Sequence, residues 1–250
     1  MITSQLHEST AGTANAVKQL NFSGPRIAAR YVSNPQDYYI AERAVVVNPN
    51  RTDLRLDARV TNIIPPFSSL IVEDAKIASG NSAVVLQVTN ARNPGAIILE
   101  SGWSLYADLV PPGSDFPRNT PLWRSPQDDI GIISFDPGTL PGQTIGSIGV
   151  SRYQVKVNLW FSPEKSDCLI HNQHAFIEIH TQVSGCGRMQ KFYNNDYATR
   201  YHDELMSPGY TTATPFCEVV NASTFVYPWH QYYADSDCVW MAVEYHPLAD

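Results

Sequence analysis

Residues 151–161 read SRYQVKVNLWF, and no other stretch limits the possible folds as tightly. Tyr153, Val155, Val157, Leu159 and Phe161 fall on one side of an extended chain. Polar partners fall on the other, apart from Trp160. A strand with one apolar face must cover it with a second layer. The rest of the chain repeats the theme with shorter apolar runs, at residues 39–47, 54–60, 69–73, 83–88, 96–100 and 103–109 in the first half. Further runs occur at 188–192, 225–233 and 238–246 in the second. Turn signals such as Pro65-Pro66, Gly80-Asn81 and Asn93-Pro94-Gly95 stand between them. Eighteen prolines and 14 glycines in 250 residues favour many short strands over long helices. The predicted class is all-β.

The organisation follows from the same pattern. Residues 1–30 form a polar lead segment, with a short helix predicted over 14–20. Residues 31–149 form an N-terminal β half. Its last part, 110–149, is rich in proline and glycine, so strands there should be short at best and the segment should act as a connector or a lid. Residues 150–250 form a C-terminal barrel. The Asp128–Asp129 pair reads as solvated, because adjacent residues of a strand point to opposite faces.

Charge and composition exclude some partners. The formal net charge is -7 and only 16% of residues are charged, whereas nucleic-acid binding needs a basic patch. No apolar run approaches a membrane span, and the first residues carry no apolar signal core. A cytoplasmic protein with reduced thiols is expected, with no nucleic acid and no membrane as partner. Four cysteines, Cys168, Cys186, Cys217 and Cys238, match no zinc spacing. Cys168 and Cys186 flank the most polar strand, so a thiolate there could join a metal site, although small core residues are the commoner role.

The chemistry concentrates in 170–192, IHNQHAFIEIHTQVSGCGRMQKF, which holds three of the seven histidines. Read with period two, Glu178, His180 and Gln182 share one face of a strand. Burying them is costly unless a metal, a polar ligand or one another satisfies them. His230 lies in a later, aromatic-rich stretch. His171 is expected on the face opposite His174 or in a turn. His202 reads as exposed, and His246 as structural.

Asn172, His174, Glu178 and Gly185 resemble the first cupin motif, G(X)5HXH(X)3-4E(X)6G, with Asn172 at the first histidine position and Ser166 at the leading glycine. Pro208-Gly209 resembles the core of the second motif, with Thr212 where that motif has histidine. The resemblance is to the cupin superfamily. It implies a double-stranded β-helix, a jelly-roll-like barrel, in two related halves with the N-terminal one stripped of its metal motif. A single barrel with a strand-rich extension is the other arrangement.

The implied function is an enzyme acting on a small organic molecule in the C-terminal barrel, as an oxygenase, isomerase or lyase. One divalent transition metal (iron, zinc, manganese or nickel) would be held by His174, Glu178, His180 and His230, as Lewis acid or for O2 chemistry. Without metal, His180 and Glu178 would act as a catalytic acid/base pair. Gln182, Trp229, Tyr227 and Thr212 are the expected substrate pocket. The competing readings are a non-catalytic sensor or carrier of a small ligand, and a structural barrel used for dimerisation. A homodimer is a further expected partner.

Overall fold

The computed structural model describes residues 13–57, 62–212 and 217–248. Strand β1 (Ala16–Gln19) opens it. Then come β2 (Ile27–Ser33), β3 (Gln36–Ile40), β4 (Ala44–Asn48), β5 (Leu54–Asp57), β6 (Asn62–Ile64), β7 (Ser68–Val72), β8 (Ala75–Ser79) and β9 (Ser82–Val88). These eight, β2 to β9, form two antiparallel sheets, ordered β2-β9-β4-β7 and β3-β8-β5-β6. Counted from one to eight along the chain, the orders are 1-8-3-6 and 2-7-4-5, the jelly-roll arrangement of two interleaved Greek keys. β1 adds an edge strand beside β2.

The second half repeats this topology. Its strands are β13 (Ser151–Ser162), β14 (Ile177–Ser184), β15 (Gly187–Phe192), β16 (Arg200–Met206), β19 (Trp229–Ala234) and β20 (Cys238–Pro247). One sheet runs β13-β20-β14 and the other β16-β15-β19. The two remaining places are filled by short bridges: Thr211 beside Thr181 of β14, and Asp167 and His171 beside Tyr233 and His230 of β19. With these, the order is again 1-8-3-6 and 2-7-4-5. The hairpin of β17 (Glu218–Asn221) and β18 (Thr224–Val226) is inserted before β19.

Between the halves lie β10 (Ser104–Leu105), a helical turn Tyr106–Leu109, β11 (Trp123–Arg124) and β12 (Asp128–Phe135). β11 and β12 both pair with β13, so the proline-rich segment widens the second jelly roll instead of merely connecting the halves. β12 is eight residues long, with a bulge between Asp129 and Gly131 that absorbs the break in pattern.

Several sequence expectations are corrected here. Residues 16–19 are a strand and not part of a helix, because they pair with β2. The run at 96–100 is a 3-10 turn, Pro94–Leu99, started by Asn93 in the left-handed region and by a proline that cannot donate to a ladder. The 39–47 run splits into β3 and β4. The 54–60 strand is seen as β5, and its residues 58–60 lie outside the described residues. The 103–109 run is a strand for two residues only. Asp128 is buried; it pairs with Lys18 and accepts the Asn21 backbone N–H at 2.7 Å.

The two jelly rolls are filled differently. The interior of the first is mainly apolar, with Val32, Val46, Leu54, Ile64, Ile77 and Val85 in one buried cluster, and its buried polar residues Asn48, Asn50 and Ser82 bond to one another. A second cluster joins the rolls: Val45, Val84 and Leu86 from the first, and Tyr153, Val155, Val157, Ile179, Val243 and Tyr245 from the second. Across this seam the Tyr245 hydroxyl donates to the Pro49 carbonyl at 3.0 Å, and Ser69, Thr211 and Thr181 form a hydroxyl chain with 2.6 Å steps. Because β13, β14 and β20 turn their apolar residues to this seam, period two turns Asn158, Glu178, His180, Gln182 and Glu244 into the interior of the second roll. All five are buried.

Candidate metal centre

Three histidines converge at one end of that polar interior. The possible ligand atoms of His171, His174 and His230 all lie within 4.8 Å of one another. His171 and His230 face each other across an antiparallel bridge. Each backbone N–H donates to the other's carbonyl at 2.9 Å, which holds both side chains on one face. Their ring centroids are 4.4 Å apart. The approach to this bridge is set by Asp167, whose carboxylate accepts the Leu169 N–H at 2.9 Å while Leu169 adopts a φ of 69°. After His171 the chain leaves the strand path until β14 begins at Ile177, and this detour returns His174 to the same point.

The orientation of the rings is as informative as their proximity. Nδ1 of His171 lies 2.8 Å from the Leu169 carbonyl, and Nδ1 of His230 lies 2.8 Å from the Pro228 carbonyl. A carbonyl can only accept, so in both rings Nδ1 carries the hydrogen and Nε2 is the lone-pair nitrogen. Nδ1 of His174 lies 3.9 Å from Glu178 Oε2. The Nε2 atoms of His174 and His230 are 3.2 Å apart. Two nitrogens bound to one ion at ~2.1 Å would sit about 3.0–3.4 Å apart, depending on coordination geometry, so this pair fits a shared cation. Backbone carbonyls and a carboxylate behind the ligating imidazoles are the usual outer support of a metal-bound histidine.

Electrostatics agree with this use. Burial displaces His171, His174 and His230 below the usual histidine range, His230 well below it, so each is held neutral as a metal ligand must be. For Glu178, burial pushes upward, but the neighbouring His180, then His174 and His230, hold the carboxyl down at about 2. Its Oε1 meets His180 Nε2 at 2.9 Å. Directly across the ladder, Glu244 is buried as well. It accepts from Asn158 at 2.7 Å and from Gln127 at 2.8 Å, and it meets His246 at 2.8 Å. The His174 side chain keeps 15% of its exposure, which leaves the cluster an opening to solvent.

The predicted site residues separate into groups. His174 and His230 meet, and the third member of their cluster is His171, not His180. Adjacent in the chain but one residue off the motif, His171 was expected on another face. Period two fails for it because 172–176 is not strand. Glu178 and His180 form a dyad behind His174 and are not within the converging nitrogens. Tyr227 adjoins the cluster, its ring centroid 4.6 Å from that of His174, and its hydroxyl donates to the Phe176 carbonyl at 2.7 Å. Gln182 is engaged by Tyr232 and by the Ser184 and Gly185 carbonyls, and the Thr212 hydroxyl accepts the His180 N–H, so both brace the strand. Trp229 falls on the opposite face of β19 from His230. Cys168 lies outside the histidine cluster, and burial pushes its thiol up to about 12. Glu244 escaped the sequence reading, although its position between the apolar Val243 and Tyr245 of an alternating run was a usable signal.

No family model matches the chain, and no curated protein matches it. Among solved structures, oxalate oxidase in complex with glycolate is similar at 12% identity, covering 54% of this chain and 55% of that one, with a TM-score of 0.29. Ectoine synthase from P. lautus is similar at 14% identity over 38% of this chain and 56% of that one, with a TM-score of 0.26. A cupin superfamily protein from Desulfitobacterium hafniense is similar at 7% identity over 48% of this chain and 81% of that one, also at 0.26. The chain therefore spans little more than half the length of the first two. Overlaps of this extent leave the chemistry to be read from the side chains themselves.

Proposed function

We propose that the second jelly roll is a cupin-type metal centre in which Nε2 of His171, His174 and His230 hold one divalent transition metal, and that the chain is an enzyme acting on a small organic molecule there. The convergence of three neutral imidazoles, two of them fixed at Nδ1 by a backbone carbonyl, carries this reading. Three nitrogen ligands suit zinc, iron or nickel better than manganese, which prefers oxygen. When bound, the metal supplies Lewis acidity toward a substrate oxygen at its remaining positions. Glu178 lies 3.9 Å from Nδ1 of His174 and pairs with His180 at 2.9 Å, and this dyad moves a proton within the barrel. Tyr227 and Phe176 wall the cluster on its apolar side, which excludes water from one flank of a bound substrate. The partition between the rolls is physical: the first buries mainly hydrocarbon, with Asn48, Asn50 and Ser82 bonded to one another, while the second carries the buried imidazoles and carboxylates His180, His230, Glu178 and Glu244.

X-ray absorption on zinc- or iron-reconstituted protein tests the ligand set. The expected spectrum has three imidazole scatterers near ~2.1 Å, reduced to two in His171→Ala. A first shell unchanged by His171→Ala would overturn it.

A further inference from the structure

The inner wall of the second roll continues past β13 onto β11. Arg124 of β11 stands opposite Trp160, Trp160 opposite Trp240, and Trp240 opposite Gln182. Directly opposed residues of a sheet share a face, so Arg124 lies on the face that carries Glu178 and His180. The Arg124 guanidinium sits over the Trp160 ring, 5.8 Å from its centroid. Tyr106, on the helical turn before β11, meets the same indole with ring centroids 4.9 Å apart. One indole therefore holds a cation and a phenol.

Neither polar group is satisfied from within the protein. Arg124 is half-buried. Its Nε is sealed from solvent without a hydrogen-bond partner and is out of reach of any ligand. Nη1 and Nη2 are open to solvent, and among the described residues none offers them an acceptor. The Tyr106 hydroxyl is likewise open and makes no hydrogen bond among the described residues. The two interior carboxylates that could have neutralised the guanidinium are taken. Glu178 is bonded to His180 at 2.9 Å, and Glu244 to Asn158, Gln127 and His246 at 2.7–2.8 Å. An arginine keeps its charge at any physiological pH, and a half-buried charge without a counter-ion is costly. The partner that the open nitrogens call for is an anion.

The donors narrow its chemistry. Nη1 and Nη2 form a planar fork that matches the two oxygens of a carboxylate. Burial raises the pKa of the Tyr106 hydroxyl, which keeps it protonated and able to donate. A phosphate carries close to two charges, and one guanidinium offsets one. The surroundings suit an apolar body: Phe116 packs on Tyr106 at 5.1 Å, and Trp240 stacks beyond Trp160 at 6.3 Å.

We infer that Arg124 and Tyr106 bind the carboxylate of a small organic acid, whose acid group sits on the open nitrogens of Arg124. The inference takes its small-molecule ligand from the function proposed above and does not depend on metal. Ligand-observed NMR titration of the metal-free full chain tests it. The probes are acetate, pyruvate, benzoate and phenylacetate, each beside its uncharged amide, with phenyl phosphate as a further comparator. At least one carboxylate should bind tenfold or more tightly than its amide. Its affinity should fall tenfold or more in Arg124→Gln and threefold or more in Tyr106→Phe. Tyr106→Phe keeps the ring against Trp160, so it carries the test if Arg124→Gln does not fold. Binding of no carboxylate, an amide bound as tightly as its acid, affinity unchanged in either variant, or a preference for phenyl phosphate would overturn the inference. Carboxylate binding through Arg124 in a chain that takes up no metal would uphold it and overturn the metal centre alone.

Discussion

Replacing Glu178 with glutamine isolates one buried charge and gives a measurable signature. Burial works to raise the Glu178 carboxyl, but His180, His174 and His230 hold it at about 2, against an ordinary 4.5. At ~1.36 kcal/mol per pH unit, that distance is worth about 3 kcal/mol of folding stability. Between these two values the unfolded chain carries a proton that the folded chain has released. Stability from this group is complete above pH 4.5 and is lost as pH falls toward 2. The histidines add an earlier loss of the same sign. His171, His174 and His230 are displaced downward, chiefly by burial, so below their ordinary 6.5 the unfolded chain binds protons that the folded chain refuses. Metal-free protein should therefore lose stability in two stages on acidification. Glu178→Gln removes the lower stage and leaves the upper one. Urea unfolding followed by tryptophan fluorescence, at neutral pH and at steps down to about pH 3, reads both. The variant should be less stable by about 3 kcal/mol at neutral pH, and the gap should narrow progressively as pH falls below 4.5. A gap that stays constant across the whole range would refute the reasoning.

Other outcomes follow from single contacts. Gly187→Ala would set a Cβ against Tyr232, with ring carbon Cε1 at 2.7 Å; Tyr232 is stacked on Trp240 at 3.9 Å and bonded to Gln182, so it has little freedom to move. Unfolding should become easier by ~1–3 kcal/mol, and adding Tyr232→Phe should not restore it, because the clashing ring carbons remain. Tyr245→Phe removes the hydroxyl that reaches the Pro49 carbonyl across the seam, and a loss of ~1–2 kcal/mol is expected in chemical denaturation. Thr211→Val interrupts the hydroxyl chain from Ser69 to Thr181, and the expected cost is again ~1–3 kcal/mol.

The parts legible in the sequence are those where side-chain period and backbone geometry agree. Residues 151–161 alternate without a break except at Trp160, and they form the longest strand, β13. The alternation of 177–183 correctly divides Glu178, His180 and Gln182 from Ile177, Ile179 and Val183. The duplicated jelly roll is one of the two arrangements that the cupin resemblance implies, although no repeat of residues announces it. The remainder escaped for identifiable reasons. The apolar run Ala96-Ile97-Ile98-Leu99 carries no period that separates a strand from a 3-10 turn, and Pro94 decides the matter. Asp128 looked solvated because its partner Lys18 is more than 100 residues away. His171 was set aside because period two was carried through 172–176, where the chain is not extended. The bridge to His230, which brings the two rings together, is a long-range pairing that no local pattern reports.

Metal content of untagged protein, purified without chelator and reconstituted anaerobically with iron(II) or zinc, tests the central claim most directly when read in His171→Ala beside Asn172→Ala. The account predicts about one equivalent of transition metal in the unaltered chain and in Asn172→Ala, because the ligands it assigns are the three imidazoles of His171, His174 and His230. It predicts loss of that metal in His171→Ala. No metal in the unaltered chain, or loss in Asn172→Ala with retention in His171→Ala, would contradict it.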